Sequence, residues 1–477
     1  NAGYRIVNER RLLSYAEKAR EARARYEQNM LKKAGFLSLS VVNMAHMDQG
    51  YHEAAFGVLT EADHVEADIC IYVISRMSGE GADRKLQKGD YYLSDEESAN
   101  LHWCTQHYAN VVLVFNAGGP VDISACDDIA ADRTFAAILQ MGMLGEEGGN
   151  AFADILSGRI SPSGRLTSTW PERYEDIPFG DTFGSLDGNP GADDYREGVF
   201  VGYRYYDRFQ KKPRYWFGQG LSYADFEKKA VVMAGENLKV AVTVKNISRY
   251  HGKYVVQIYV SVPEGKLVQP EAVLAGYGKT RELAPGEAVT EQIEIPYHYL
   301  AGYDAKRGVE VLEAGQYTIF LGEHAGEREV IGAFVLEKEI LLASRNAVCP
   351  PTHEIRELTP PERKETVKVA DALLIEVKPE WIRAEEVEIR QNPMDAYEQE
   401  AEELVKQMSW KELPYLLTGE GCADMVMPAW HDIVVPGSTG NTTTKLHKYG
   451  LESFACCDGP AGLRFMRTLV VKPGARK

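Results

Sequence analysis

The chain lacks most of the features that would place it in a membrane, on a nucleic acid or around a metal ion. No run of about 18 apolar residues occurs, so no membrane-spanning helix can be read from it, and the N-terminal stretch has no hydrophobic signal-peptide core. The formal charge of −17 argues against a nucleic-acid partner, because phosphate binding relies on clustered Lys and Arg that release counterions. Cysteines are few and odd in number: Cys70, Cys104, Cys126, Cys349, Cys422, Cys456 and Cys457. Scattered among apolar neighbours, they read as reduced core residues, which favours the cytoplasm. There is no Cys-x-x-Cys pair and no His-x-x-x-His spacing, so neither a structural nor a catalytic zinc site is expected, and no cofactor is implied. The glycines of Leu144-Gly145-Glu146-Glu147-Gly148-Gly149 complete no phosphate-binding loop. An initiator Met is also missing, so the chain is read as processed or as a fragment and the cytoplasmic assignment as provisional. Nothing in the sequence sets an oligomeric state.

What is present describes an ordinary globular protein of two to four domains, 44% hydrophobic and 26% charged. Residues 8–32 carry Leu12, Leu13, Ala16, Ala19, Ala22, Tyr26 and Met30 at helical spacing among many charges, which predicts an amphipathic surface helix. Apolar runs at 37–42, 69–74 and 111–116 alternate with helical stretches, the pattern of an open parallel sheet with helices on both faces. From about residue 226 the period changes to two. Leu238, Val240, Val242 and Val244, then Val256, Ile258 and Val260, then Tyr317, Ile319 and Leu321 alternate with polar partners, with turns at Pro285-Gly286 and Ala314-Gly315. That pattern predicts a small β-sandwich ending near residue 338. A proline-rich, charged segment follows to about residue 400 and reads as an extended, wrapping linker. The last block opens on Ser409-Trp410-Lys411-Glu412, a capping box before Leu413, Leu416 and Leu417.

The strand at 69–74 ends abruptly in Ser75-Arg76-Met77-Ser78-Gly79-Glu80-Gly81-Ala82-Asp83-Arg84. Six consecutive apolar residues predict a strand covered on both faces, and ligands gather at the ends of such strands. Gly79 and Gly81 flank Glu80 and leave the backbone room for close approach, which makes Glu80 the first catalytic candidate. Taken alone, a Glu between two glycines is more often a solvated loop carboxylate.

Its company changes that balance. Residues 75–84 resemble the acid/base loop of family 3 glycoside hydrolases of the β-glucosidase type. Ile160-Ser161-Pro162-Ser163-Gly164-Arg165-Leu166, followed by Trp170-Pro171, is similar to the family's Asn-Pro-Ser-Gly-Arg-Leu-Pro signature, with Ser161 and Thr167 as departures. Tyr195-Arg196-Glu197-Gly198, residues 201–207 and Phe217-Gly218-Gln219-Gly220-Leu221-Ser222-Tyr223 resemble the segment that closes its α/β sandwich domain. Asp458-Gly459-Pro460-Ala461-Gly462-Leu463-Arg464 resembles a turn after an early barrel strand. The resemblance implies an α/β sandwich domain over 1–225, a fibronectin type III-like domain over 226–338, a linker over 339–400 and the incomplete start of a TIM-like barrel over 401–477. This is a permuted order, since in the usual arrangement the barrel leads. It also implies Glu80 as general acid/base, and Asp458 and Arg464 as substrate-binding residues that hold sugar hydroxyls. The tyrosines and glycines of 195–223 are read as packing and turn residues, and Pro162 and Gly164 as turn chemistry.

The implied function is a retaining β-glycoside hydrolase that releases a terminal non-reducing sugar from a β-linked oligosaccharide or glycoside. Such an enzyme uses two carboxyl groups about 5–5.5 Å apart. As the acid, Glu80 needs its pKa lifted by burial or by a neighbouring carboxylate. Arg76 and Arg84 are therefore expected to anchor the loop while pointing away from it. The family's nucleophile is an Asp on a late barrel strand. A whole barrel takes about 250 residues, whereas about 75 follow residue 401, so the nucleophile is expected to be absent and the chain truncated within the barrel. Leu413, Leu416, Leu417 and Phe454 would then be exposed or disordered. The alternative is an inactive sugar-binding or interaction module left by that truncation.

Overall fold

A computed structural model describes residues 3–34, 55–76, 84–127, 135–183, 193–345, 353–363, 369–385, 395–417, 440–441, 443–452 and 455–456. The apolar run at 37–42 lies outside these residues. Two compact units separate, the larger comprising residues 56–78 and 83–389 with the first nine residues.

Within the larger unit, β1 (Cys70–Ser75), β2 (Val111–Asn116) and β3 (Ala137–Gln140) form a parallel sheet in sequential order. Right-handed crossovers that always step the same way place both connections on one face. That face packs Leu113 and Phe115 against Leu93, Leu101, Val121, Ile123 and Trp170. The edge strand β1 is not covered on both faces as its composition predicts: Ile71 and Val73, on its other side, are 43% and 49% exposed. Central strand β2 is buried from Val111 to Phe115. The apolar run is therefore a reliable sign of a strand but not of its two-sided burial.

Helix α1 (Glu9–Ala34) has the amphipathic character expected of it and carries an Arg23–Glu27 pair at 2.9 Å one turn apart. Helix α2 (Asp95–His107) begins in a capping box: Glu97 N–H donates to Ser94 Oγ (3.0 Å), and Ser94 N–H donates back to the Glu97 carboxylate (2.8 Å). At its other end the His107 ring meets Trp103 O at 2.8 Å and Glu61 Oε1 at 2.9 Å. Both ring nitrogens face oxygen atoms, so the imidazolium is favoured; the Trp103 carbonyl first, then Glu61, raise the His107 pKa above its ordinary value. A pKa raised on folding stabilises the protein fully below the unfolded value of about 6.5, and the contribution is lost as pH rises through the folded value. The melting midpoint of the native chain should therefore fall relative to that of His107→Gln between about pH 6 and 8. Parallel pH profiles for the two proteins would sink this account.

Helix α3 (Gly148–Leu156) starts where the small residues predict, and Gly148 is needed because a Cβ there would lie 2.6 Å from Leu144 Cβ. Helix α4 (Tyr203–Arg208) closes the α/β part and docks it on the sandwich. Tyr203 stacks on Phe217 and its hydroxyl accepts from Leu274 N–H at 2.9 Å. Arg208, almost wholly buried, forks onto Glu264 at 2.9 and 3.0 Å and reaches Glu271 at 3.5 Å. Asp207 pairs with Arg328 at 2.7 Å.

The sandwich follows its period-two sequence closely. Strands β4 (Phe226–Met233), β5 (Leu238–Asn246) and β8 (Ala288–Ile295) form one antiparallel sheet, ordered β4-β5-β8. Strands β6 (Val255–Ser261), β7 (Val273–Lys279), β11 (Gly315–His324) and β12 (Glu327–Leu336) form the other, ordered β12-β11-β6-β7. Leu238, Val240, Val242 and Val244 are fully buried and face Val256, Ile258, Val260 and Ile319; each such side chain contributes about 1.5–3 kcal/mol. Gly286, at φ +80°, makes the predicted turn before β8. A small third sheet joins β9 (Gly302–Asp304), β10 (Val309–Leu312) and β13 (Ile340–Ser344).

Past residue 345 the extended segment wraps the larger unit. Leu358 N–H donates to Arg196 O (2.8 Å), Arg363 donates to Pro270 O (3.0 Å) and Glu271 O (2.8 Å), and Ile375 N–H to Ala333 O (2.8 Å). Val377 and Ile382 then enter the sandwich core.

The smaller unit holds α5 (Asp395–Lys406) and α6 (Pro414–Leu417). The expected Ser409–Glu412 capping box forms only by half: Ser409 N–H and Oγ both donate to Glu412 Oε2, at 2.9 and 2.6 Å, while Glu412 N–H donates to the Ser409 carbonyl and the helix starts later, at Pro414. Lys448 at 2.5 Å, then Ser409, hold the Glu412 carboxyl down at about 2. Leu416 is exposed and Leu413 half-buried, while Phe454 lies outside the described residues.

Candidate active site

The chemistry assigned to Glu80 depends on how its loop is held, and the two ends of that loop are described. Glu80, Asp458 and Arg464 themselves lie outside the described residues. Arg76 follows β1 directly, and its N–H continues the ladder to Asn116 O at 3.1 Å. Its guanidinium is buried and satisfied throughout. Nε donates to Asp90 O (2.5 Å), Nη1 to Ser75 O (2.8 Å) and Glu97 Oε1 (2.7 Å), and Nη2 to Tyr92 O (3.3 Å) and Glu97 Oε2 (2.8 Å). This is a two-pronged pair, the geometry in which Arg and carboxylate interact most strongly. Glu97 is the same residue that caps α2, so one carboxylate fixes both the helix start and the strand exit.

Arg84, at the far end, donates from Nε to Asp90 Oδ1 (3.0 Å), from Nη1 to Pro120 O (2.6 Å) and from Nη2 to Asp90 O (2.5 Å). Asp90 Oδ2 accepts from Lys85 N–H at 2.7 Å. The carbonyl of Asp90 is thus shared by both guanidiniums. It draws together the residues at which the Glu80 segment leaves and returns. Each positive charge is matched by its own carboxylate, Glu97 for Arg76 and Asp90 for Arg84. The expected anchoring role of the two arginines is present, through Glu97 and Asp90.

Aromatic packing supports this clasp. Tyr91 meets Tyr92 and Tyr174 edge-on, at 5.4 and 5.2 Å between ring centres, and Arg84 lies 5.7 Å from the Tyr91 ring centre. Burial first, then the Asp122 charge, push the Tyr91 phenol well above its ordinary range, so it is a neutral hydroxyl at any working pH. Asp122 N–H donates to Tyr91 O at 2.9 Å and ties the stretch to the end of β2.

The motifs that carry the family resemblance elsewhere are structural here. Leu166 N–H donates to Gln219 O (2.9 Å), Trp170 is buried against Phe115 and Tyr215, and Arg165 lies over the Tyr254 ring at 5.5 Å. Tyr205 and Tyr206 are buried with Phe200, as packing residues should be. Sequence reasoning missed Asp90 and Glu97. Ser94-Asp95-Glu96-Glu97 is a readable capping box and could have flagged Glu97; nothing local marks Asp90. No group of three or more His, Cys, Asp or Glu side chains suited to a metal occurs among the described residues, and no helix among them is long and apolar enough to cross a membrane.

The architecture is a parallel α/β layer followed by a fibronectin-like sandwich. Residues 58–223 match the glycosyl hydrolase family 3 C-terminal domain and residues 254–325 a fibronectin type III-like domain. A β-glucosidase of Ruminococcus albus is 30% identical over 430 residues, covering 83% of this chain and 42% of that protein. β-Glucosidase A of Butyrivibrio fibrisolvens is 30% identical over 474 residues, covering 83% of this chain and 55% of its own length. Among solved structures, a β-glucosidase from Paenibacillus barengoltzii superposes with a TM-score of 0.64 at 27% identity, covering 84% of this chain and 46% of that one. β-Glucosidase 3B from Thermotoga neapolitana, in complex with α-D-glucose, gives 0.53 at 38% identity, covering 58% and 38%. The chain belongs to glycoside hydrolase family 3. It spans about half the length of these relatives.

Proposed function

We propose that this chain provides the acid/base half of a retaining β-glycoside hydrolase of the β-glucosidase type, which releases a terminal non-reducing sugar. The supporting observation is the clasp: a parallel strand delivers the Glu80 segment, and Arg76 and Arg84 hold its two ends on one carbonyl oxygen. Preorganising a proton donor in this way is what general acid catalysis needs, since the carboxyl must stay within hydrogen-bond reach of the leaving oxygen. Glu80 protonates the glycosidic oxygen as the bond to the sugar breaks, then takes a proton from the water that releases the sugar. Asp458 and Arg464 hold sugar hydroxyls, and the nucleophilic Asp is supplied from outside these 477 residues. The substrate is a β-linked oligosaccharide or glycoside, in keeping with the relatives' names and with the glucose complex of the Thermotoga neapolitana enzyme. The thiols of Cys70 and Cys104 support a cytoplasmic setting.

A second reading, an inactive sugar-binding or interaction module, is separated from the first by assay. The 477-residue chain is expected to show no turnover of an aryl β-glucoside alone and to gain it when a family 3 barrel domain is joined or added. Turnover of an alkyl β-glucoside that survives Glu80→Gln undiminished would remove the site assignment. Absence of turnover with the barrel present would leave the module reading.

A further inference from the structure

Cys70 and Cys104 stand apart from the proposed catalytic chemistry yet touch the elements that carry it. Cys70 is the first residue of β1 and half-buried; Cys104 sits in the last turns of α2 and is 1% exposed. Both are free thiols in one apolar cluster with Tyr108 and Val111. Cys70 packs against Cys104 in that cluster. Strand and helix run in opposite senses, so this contact lies at one end of the pair while Arg76–Glu97 ties the other end.

We propose that Cys70 and Cys104 form a reversible redox site, oxidised to an intramolecular disulfide by a small-molecule disulfide such as oxidised glutathione. Cys70 is the attacking thiol. Its half-buried position leaves it the more accessible of the two, Cys104 being almost wholly buried. The Cys70 thiolate attacks one sulfur of oxidised glutathione, the glutathione S–S bond breaks, and a glutathione thiolate leaves and takes up the proton lost from Cys70. Cys104 then gives up its proton and attacks the Cys70 sulfur of the mixed disulfide, expelling a second glutathione. Two protein thiols are oxidised and one glutathione disulfide is reduced to two thiols. The product links β1 to α2 covalently at the end opposite the Arg76–Glu97 tie.

The test is to equilibrate the full chain in glutathione buffers of rising oxidised fraction, quench with an alkylating agent and map the peptides by mass. The expected result is simultaneous loss of alkylation at Cys70 and Cys104, with a Cys70–Cys104 cross-linked peptide that dithiothreitol reverses. In Cys104→Ser, with its fold checked by circular dichroism, the expected result is a persisting glutathione adduct on Cys70. Full alkylation of both residues under oxidising buffer would overturn the proposal. So would an adduct on wild-type Cys70 with no cross-link, or a Cys104→Ser protein that is folded yet unreactive at Cys70.

Discussion

Replacing Glu80 with glutamine, in this chain combined with its barrel, is expected to lower kcat/KM on an alkyl β-glucoside or a β-linked disaccharide by about 10²–10⁴-fold, the usual contribution of a positioned general acid. Glutamine keeps the size of the side chain but has no acidic proton to give. The loss should be much smaller on an aryl glucoside whose phenolate leaves unaided, because that first step needs little acid assistance. Steady-state kinetics on the two substrates give the contrast. Equal losses on both would point to a disturbed loop, and no loss on either would remove Glu80 from the mechanism. The expectation rests on the family motif at residues 75–84 and on the clasp formed by Arg76 and Arg84 on the Asp90 carbonyl.

Arg76→Ala is expected to destabilise the larger unit by about 3–5 kcal/mol, the range for breaking a buried ion pair from one side. The side chains of Arg76 and Glu97 are 5% and 19% exposed, so removing the guanidinium strands a carboxylate in a poorly solvated site. The carbonyls of Ser75, Asp90 and Tyr92 lose a donor at the same time. Denaturant unfolding of the single mutants Arg76→Ala and Glu97→Gln and of the double Arg76→Met/Glu97→Leu checks the reasoning. The double mutant should lie closer to the native chain than Arg76→Ala, because an apolar pair leaves no charge uncompensated. A loss below about 1 kcal/mol for Arg76→Ala would mean that the pair behaves like an exposed one. Activity should fall together with stability, since the same guanidinium holds one end of the Glu80 segment.

Much of the fold was legible because the deciding signals are local. Alternation at 238–244 and 317–321 put one row of side chains into the sandwich core, as a two-residue period must when one face is buried. Ser94-x-x-Glu97 announces a helix start through a hydrogen bond that closes within one turn. Of the tyrosines of 195–223, Tyr205 and Tyr206 are buried packing residues as their apolar bulk suggests, whereas Tyr195 and Tyr223 are exposed.

The sequence by itself determined the α/β layer and the sandwich, because each rests on residue type and short spacing, and its resemblance to family 3 implied Glu80 as the candidate acid. Tertiary structure alone decided how the Glu80 segment is held. Asp90 is an unremarked turn residue until its carbonyl and carboxylate meet Arg76 and Arg84, and Glu264 and Glu271 are two surface-type acids until Arg208 buries itself between them. The same holds for β1, whose apolar run predicts burial on two faces but whose position at the edge of a sequentially ordered sheet leaves one of them open. Partners distant in sequence are chosen by chain topology, and no local period records that choice.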